Sequence, residues 1–473
     1  MASEHDKKVA QPEPPGEETH VLYLYETRKK IYARRFSGFF RKLRKRSGIP
    51  LLLGYLLTPW LQIDGRQAIL FDLPERKFHI FWMTFWPQDF MLLAWLLIIA
   101  AFVLFTVTVL VGRIWCGFSC PQSVWTMMYM GVEHFFEGGR TRRIKLDLSP
   151  WNFNKLWRKG GKHFFWLLIA FITGFNFVAY FHPIRQLTAD LFVLSVDPGS
   201  LFWICLFTGM TYMNAGYLRE QVCKYMCPYA RFQSVMFDSD TLIVSYDEAR
   251  GEPRGARKKK SDHKAQGLGE CVSCSLCVQV CPVGIDIREG LQSECISCGL
   301  CIDACNAIME KVEYAPNLIS FTTENKLKTG TLQIVRPRLV AYSIVLIAMI
   351  SLFLYTLITR VPLELDIVRD RAMLYRETPR GLIQNIYTLR INNMDNRDHE
   401  YLITSEGAYR FKFIGEQSLR VKAGEVFTHL VRLELDPGLL KKGNVDVTFT
   451  IRSVDDEDLS DSEESRFIGP FIR

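Results

Sequence analysis

Thirteen cysteines stand in this chain of 473 residues, and twelve of them fall into regularly spaced sets. Cys271, Cys274, Cys277 and Cys281 follow C-x2-C-x2-C-x3-C and precede Pro282; Cys295, Cys298, Cys301 and Cys305 repeat that spacing. Three thiolates on one tight loop hold three corners of a cubane iron–sulfur cluster, and the fourth cysteine of such a run reaches the other cluster. The expected wiring places Cys271, Cys274, Cys277 and Cys305 on one 4Fe–4S cluster, and Cys281, Cys295, Cys298 and Cys301 on a second. Structural zinc uses two C-x2-C halves set further apart. A disulfide framework has no reason to repeat this spacing.

The second set is Cys116 with Cys120-Pro121 and Cys223 with Cys227-Pro228, each a C-x3-C-P motif after an apolar run and just past an arginine, Arg113 or Arg219. Spacing of i, i+4 puts both thiols on one face of a helix, and the proline is expected to break that helix just beyond them. If the two halves of this crude repeat pack together, four thiols converge, and the arginines favour thiolates. Low-pKa, exposed thiols have a chemical use, as ligands or as a dithiol relay. Cys205, alone within an apolar run, reads as a small apolar residue.

The elements that must hold these residues lie largely in a membrane. Long apolar runs alternate with basic stretches, and the net charge is +8. In such a chain that charge reads as basic cytoplasmic loops and not as nucleic-acid binding. Spans are expected at about 49–63, 90–111, 164–181, 199–217 and 339–358; the first is short for the roughly 20 residues a spanning helix needs. The loop Arg113–His163 carries nine Lys/Arg and Arg250–Lys264 seven, against three in Asp64–Gln88 and one in His182–Pro198. The positive-inside rule then places the N-terminus and the cluster module in the cytoplasm, which requires the first run to cross. Five spans result, with the C-terminal part outside. Residues 1–19 are polar and show no signal peptide.

The expected architecture is a basic N-terminal region (1–48), an α-helical membrane domain with four spans (49–234), and a basic linker (235–270). A two-cluster ferredoxin-like α+β module (271–310), a second linker (311–338), the fifth span and an all-β Ig-like sandwich (361–473) follow. Strands are expected at Ile386–Asn392, Glu400–Ile403, Tyr409–Ile414, Val426–Leu435 and Val445–Ile451. The acidic segment Asp455–Ser465 reads as a solvated loop. Ala68–Leu73 and Phe78–Trp86 read as a hairpin with Trp82 and Trp86 at the lipid boundary. His79, His134, His163 and His182 read as solvated loop residues, His182 being the first candidate for a metal. Gly138-Gly139 lacks phosphate-loop spacing, so nucleotide binding has no support.

The run of cysteines resembles the bacterial two-cluster ferredoxins, with Asn306 where a second C-P proline would stand. Nearly the whole chain resembles the CcoG/FixG/RdxA family, accessory proteins of cbb-type cytochrome c oxidase. The resemblance rests on WLQIDGRQAILFDL at Trp60–Leu73, TFWPQDF at Thr84–Phe90, both C-x3-C-P motifs, the cysteine runs and the β-rich tail. It implies a bacterial inner-membrane protein with a periplasmic Ig-like domain that reduces Cu(II) to Cu(I) on the cytoplasmic side. The copper would pass to the oxidase through its assembly and copper-delivery proteins. Two further readings stand beside it: a quinol-oxidising or electron-relay subunit with another redox partner, and a non-enzymatic assembly scaffold. The cytoplasmic electron donor is not legible in the sequence.

Overall fold

The computed structural model describes residues 30–63, 65–257, 265–370, 373–395, 397–440, 443–456 and 458–470. The expected polar N-terminus, Arg28, Lys29 and the basic residues 258–264 lie outside them.

Helix α1 (Phe39–Leu57) runs unbroken from the basic cluster Arg41–Arg46 into the apolar run, and a 3-10 turn extends it to Trp60. The stretch expected as a span from 49 is thus the second half of a longer helix. Gly38 offers α1 no capping side chain, and the cap comes from far along the chain. The backbone amides of Phe40 and Arg41 donate to the Asp303 carboxylate at 3.1 and 3.0 Å, which satisfies donors that a helix start leaves open. Only glycine fits at position 38, because a Cβ there would lie 2.2 Å from Asp303 Cγ.

Helix α2 (Phe90–Val111) is the uncharged run. It is followed by α3 (Ile114–Phe118), α4 (Pro121–Phe136) and α5 (Arg140–Leu148). Helix α6 (Phe153–Val178) starts where the Asn152 side chain caps the Lys155 amide, eleven residues before the expected span. The loop expected after it contains α7 (Ile184–Val193), which meets α8 (Pro198–Thr211) at a 95° bend. Helix α8 continues as a π-helix through Leu218. Then come α9 (Pro228–Met236), α10 (Glu248–Gly251), α11 (Leu276–Val280), α12 (Leu300–Val312), α13 (Glu324–Thr329) and α14 (Pro337–Ile358). Among the described residues, α2, α6 and α14 are long and apolar enough to cross a membrane, and the bent pair α7–α8 adds a fourth if it counts as one span. Helix α14 packs along α2, and α6 along α8.

Between α1 and α2, β1 (Gln62–Ile63) pairs with β2 (Arg66–Gln67). The expected hairpin is a three-stranded meander of β3 (Ile69–Asp72), β4 (Lys77–Ile80) and β5 (Met83–Phe85). Trp82 is exposed, but Trp86 is buried under the Lys77 ammonium, 5.3 Å from the ring, so Trp86 is not a lipid-boundary anchor.

Strands β6 (Ile243–Tyr246) and β7 (Ile319–Thr322) pair antiparallel and pack with α11 and α12 over a core of Val244, Ile302, Met309 and Leu318. Both strands lie in stretches expected as linkers. The missing proline has a physical reason. The first run ends α11 at Cys281-Pro282, whereas Cys305 lies inside α12, which continues to Val312 and tolerates no interior proline. Asn306 instead accepts the Asn317 amide at 2.7 Å.

The C-terminal part is a two-sheet antiparallel sandwich. One sheet has the order β12 (Lys412–Ile414), β14 (Val426–Leu435), β10 (Ile383–Asn393) and β8 (Leu363–Arg369), with β9 (Arg376–Glu377) beside β10. The other has the order β13 (Ser418–Val421), β11 (His399–Gly407), β15 (Asn444–Ser453) and β16 (Ser460–Ile468). Alternate residues of β10, among them Tyr387, Leu389 and Ile391, face Tyr401, Phe449 and Ile451 across the core. The acidic segment is not all loop. Its second half forms edge strand β16, where exposed Glu463 and Glu464 guard an open edge against further pairing.

Candidate iron–sulfur and thiol site

The two cysteine runs fold alike. Ser273 and Ser275 in the first, and Ser297 and Gly299 in the second, take left-handed φ angles of 52°, 53°, 49° and 71°. These turns curl each loop around a hollow. One hollow is bounded by Cys271, Cys274, Cys277 and Cys305. The next is bounded by Cys281, Cys295, Cys298 and Cys301, with Cys277 on the wall between them. The fourth cysteine of each run therefore faces the three of the other run. Among the described residues, no three His, Cys, Asp or Glu side chains close on a point that suits one metal ion. Each cysteine set surrounds a space, the arrangement a polynuclear cluster requires.

The donor chemistry fits as well. Burial, then the neighbouring Cys298, pushes the Cys281 thiol up to about 12. Burial, then Cys277, Cys271 and Cys274, does the same to Cys305. Sulfurs gathered without countercharge resist ionising, and a bound cationic centre reverses this by displacing their protons. Arg288, held by Asp286 at 2.5 Å, adds positive charge beside the first hollow.

The C-x3-C-P pairs do not lie on single helices. Cys116 belongs to α3, whereas Cys120 is the residue before α4, whose first position is Pro121. Cys223 lies in the π-turn Val222–Met226, and Cys227 precedes α9 with Pro228 first. Proline at that position starts a helix instead of breaking one, because its missing N–H would be unpaired there anyway. Each dithiol thus straddles a joint between helices.

The two joints come together. Cys120, Cys223 and Cys227 lie close enough to Cys116 to push its pKa up, and Cys120 and Cys227 do the same to Cys223. Cys116 packs into the apolar shell of Val283, Ile285 and Ile296 beside Cys281, Cys295 and Cys298, and its thiol lies 3.3 Å from Gln233 Oε1. Arg113, almost wholly buried, locks the assembly by donating to the backbone carbonyls of Ser293 and Ala230. Arg44 of α1 donates to Gly117 O at 2.8 Å. Sequence spacing does not reveal these contacts, nor the Asp303 cap.

Burial opposes the expected thiolates. Burial lifts Cys116 to about 12 and Cys223 to about 11, and Arg113 only partly offsets it. Burial also raises Cys120. Arg219 does not serve the thiols but pairs with Glu133 at 3.1 Å, which also holds Arg143 at 2.9 Å. Cys205 is exposed on α8.

The histidines are not free loop residues either. His79 lies between Arg66 and Thr84. His163 meets Tyr212 at 2.9 Å and stacks on Tyr217. His182 Nδ1 is buried without a hydrogen-bond partner among the described residues, and no set of further His, Cys, Asp or Glu ligands gathers there.

The profile of the 4Fe–4S dicluster domain matches residues 218–324, and that of the IG-like fold at the C-terminal of FixG, putative oxidoreductase, matches residues 353–470. Fold and site together define a membrane iron–sulfur redox protein with an Ig-like C-terminal domain. The chain is 37% identical over 421 residues to the nitrogen fixation protein FixG of Rhizobium meliloti (strain 1021), covering 81% of this chain and 80% of that protein. It is 36% identical over 429 residues to protein RdxA of Cereibacter sphaeroides, covering 87% and 90%. The crystal structure of a FixG-related protein from Vibrio parahaemolyticus matches with 29% identity and a TM-score of 0.21, over 23% of this chain and 95% of that one. The chain belongs to the FixG/RdxA family.

Proposed function

We propose that this protein is a cupric reductase of the bacterial inner membrane, reducing Cu(II) to Cu(I) at its cytoplasmic face for the assembly of cbb-type cytochrome c oxidase. The observation that carries the reading is the packing of Cys116 into the apolar shell of the Cys281/Cys295/Cys298 group. That contact supports a short step from three cluster cysteines to one of the membrane thiols.

In this reading Cys271, Cys274, Cys277 and Cys305 hold one 4Fe–4S cluster, and Cys281, Cys295, Cys298 and Cys301 the other. Such clusters supply single electrons, and Cu(II)/Cu(I) is a one-electron couple. Cys116, Cys120, Cys223 and Cys227 bind the copper. Thiolate sulfur prefers Cu(I) and draws the reduction forward. Gly117 permits the close approach of the module, and the apolar shell of Val283, Ile285 and Ile296 keeps water from the gap. The membrane arrangement has five spans, α1 included, with the N-terminus and cluster module inside and the Ig-like domain in the periplasm; the charge of the loops supports it. Partners are lipid, an electron donor in the cytoplasm and the oxidase's copper-delivery proteins.

The test is anaerobic: purified protein, a reductant, Cu(II) and a Cu(I)-specific chelator in one cuvette. Catalytic appearance of the Cu(I) complex is expected. Its absence, together with rapid reduction of the clusters by quinol, would overturn the copper reading in favour of a quinol-oxidising subunit.

A further inference from the structure

A cavity of about 330 Å³ lies between the first half of α1, the flank of α4 and the cluster module, within the size range of small-molecule sites. Cys223 lies on its wall, and so do Val280, Pro282 and Ile296, each a neighbour of a cluster cysteine. Two features of its lining have no part in electron delivery.

The first is a row of soft donors. Met127, Met130 and His134 of α4 line the cavity. Steps of three and four residues put them on one helix face, spread over about 10 Å at 1.5 Å per residue. His134 is arranged as a metal ligand arranges its ring. Its Nδ1 lies 2.6 Å from the Met130 carbonyl, so Nδ1 carries the proton and Nε2 the lone pair. Nε2 is buried and has no hydrogen-bond partner among the described residues.

The second feature is charge. Arg34, Arg35, Arg41, Arg44 and Lys45 line the same cavity. Among the described residues none of the five has an ion-pair partner, the charge of Arg219 is taken by Glu133, and Glu220 is the one acid in the lining. Crowding of like charges is felt at Arg41, whose pKa is lowered by burial and then by Arg35 and Arg44. Arg34, Arg35 and Lys45 are exposed and form its solvent side, a cationic mouth that repels hydrated divalent cations and draws anions. Thioether, imidazole and thiol together select Cu(I) over hard metals.

We propose that this cavity is the exit path for Cu(I): the ion leaves Cys223 along Met127, Met130 and His134, and a small anionic thiolate collects it at the cationic mouth. The proposal rests on the copper reading and adds the ion's route and the chemical class of its acceptor. The step is ligand exchange; copper stays Cu(I), and one set of sulfur and nitrogen donors replaces another.

The test loads the anaerobic, cluster-containing protein with Cu(I) directly, so no reduction is needed, and follows release to two acceptors. Glutathione is anionic and dithiothreitol neutral. Met127→Leu with Met130→Leu, and separately His134→Gln, are expected to slow release to both acceptors about tenfold. Cluster EPR serves as the folding control. Arg34→Glu with Arg35→Glu, at exposed positions, is expected to slow release to glutathione about tenfold and leave dithiothreitol unchanged. Parental release rates in the Met and His variants overturn the path, and equal slowing with both acceptors in the Arg variant overturns the anionic acceptor. Copper turnover is measured alongside. Its loss in the parent protein, with donor-dependent Cu(I) release intact, rejects the reductase reading and not the path.

Discussion

Gly117 and Cys298 meet backbone to backbone. A Cβ on Gly117 would stand 3.1 Å from Cys298 Cα, 3.0 Å from Ser297 O and 2.8 Å from Ile296 O. The residue after the first membrane thiol is thus held against the loop that presents a cluster cysteine. Contacts to backbone cannot be relieved by turning a side chain, so a larger residue must push the module away.

Gly117→Val is expected to destabilise the protein by about 1–3 kcal/mol, the usual cost of overpacking. It should also slow copper reduction far more than Gly131→Ala, where a Cβ meets nothing. Thermal unfolding and initial rates on the same preparations check both effects.

The crossed grouping of cysteines predicts which cluster each variant loses. Cys281→Ser should damage the cluster held by Cys295, Cys298 and Cys301, and Cys305→Ser the one held by Cys271, Cys274 and Cys277. Iron should fall from about eight per chain toward about four in either case. EPR of the reduced variants should show complementary losses. Loss of the same signal in both would contradict the crossing.

Glu133 sits between Arg143 and Arg219, itself and Arg143 wholly buried. Glu133→Gln leaves two guanidinium groups without their countercharge, and breaking a buried pair in this way costs about 3–5 kcal/mol. A double variant, Glu133→Gln with Arg143→Met, should recover part of the loss because one of the stranded charges is gone. Chemical denaturation in detergent measures the difference.

The two cysteine runs that surround the hollows were legible because their spacing is local: Cys271 to Cys281 and Cys295 to Cys305 each span eleven residues. The ends of α2 were legible because its apolar run has sharp chemical borders. What escaped depends on contacts between distant parts of the chain. Asp303 caps α1 across 263 residues, and Arg113 reaches Ser293 across 180. Helix α1 was cut short because basic residues mark a membrane boundary without ending a helix. Sequence alone does not tell a proline that breaks a helix from one at a first helical position, where Pro121 and Pro228 stand. The sequence shows the arginine near Cys116 but not the burial that pushes its thiol the other way.

Topology can be read independently of the chemistry. Reporter fusions after Gly330, just before α14, should read cytoplasmic, and fusions after Gly381 periplasmic. Both reporting the same side would show that α14 does not cross.

The most direct test of the central claim is stopped-flow oxidation of pre-reduced clusters by Cu(II), in the parent protein, in Cys116→Ser with Cys120→Ser, and in Cys223→Ser with Cys227→Ser. Cys205→Ser serves as the control on α8. The expected result is that both double variants keep intact cluster EPR and lose most of the copper-driven oxidation rate, by about tenfold or more, with the control near the parental rate. Parental rates in both double variants would contradict the claim, and would place copper reduction at the cluster module itself.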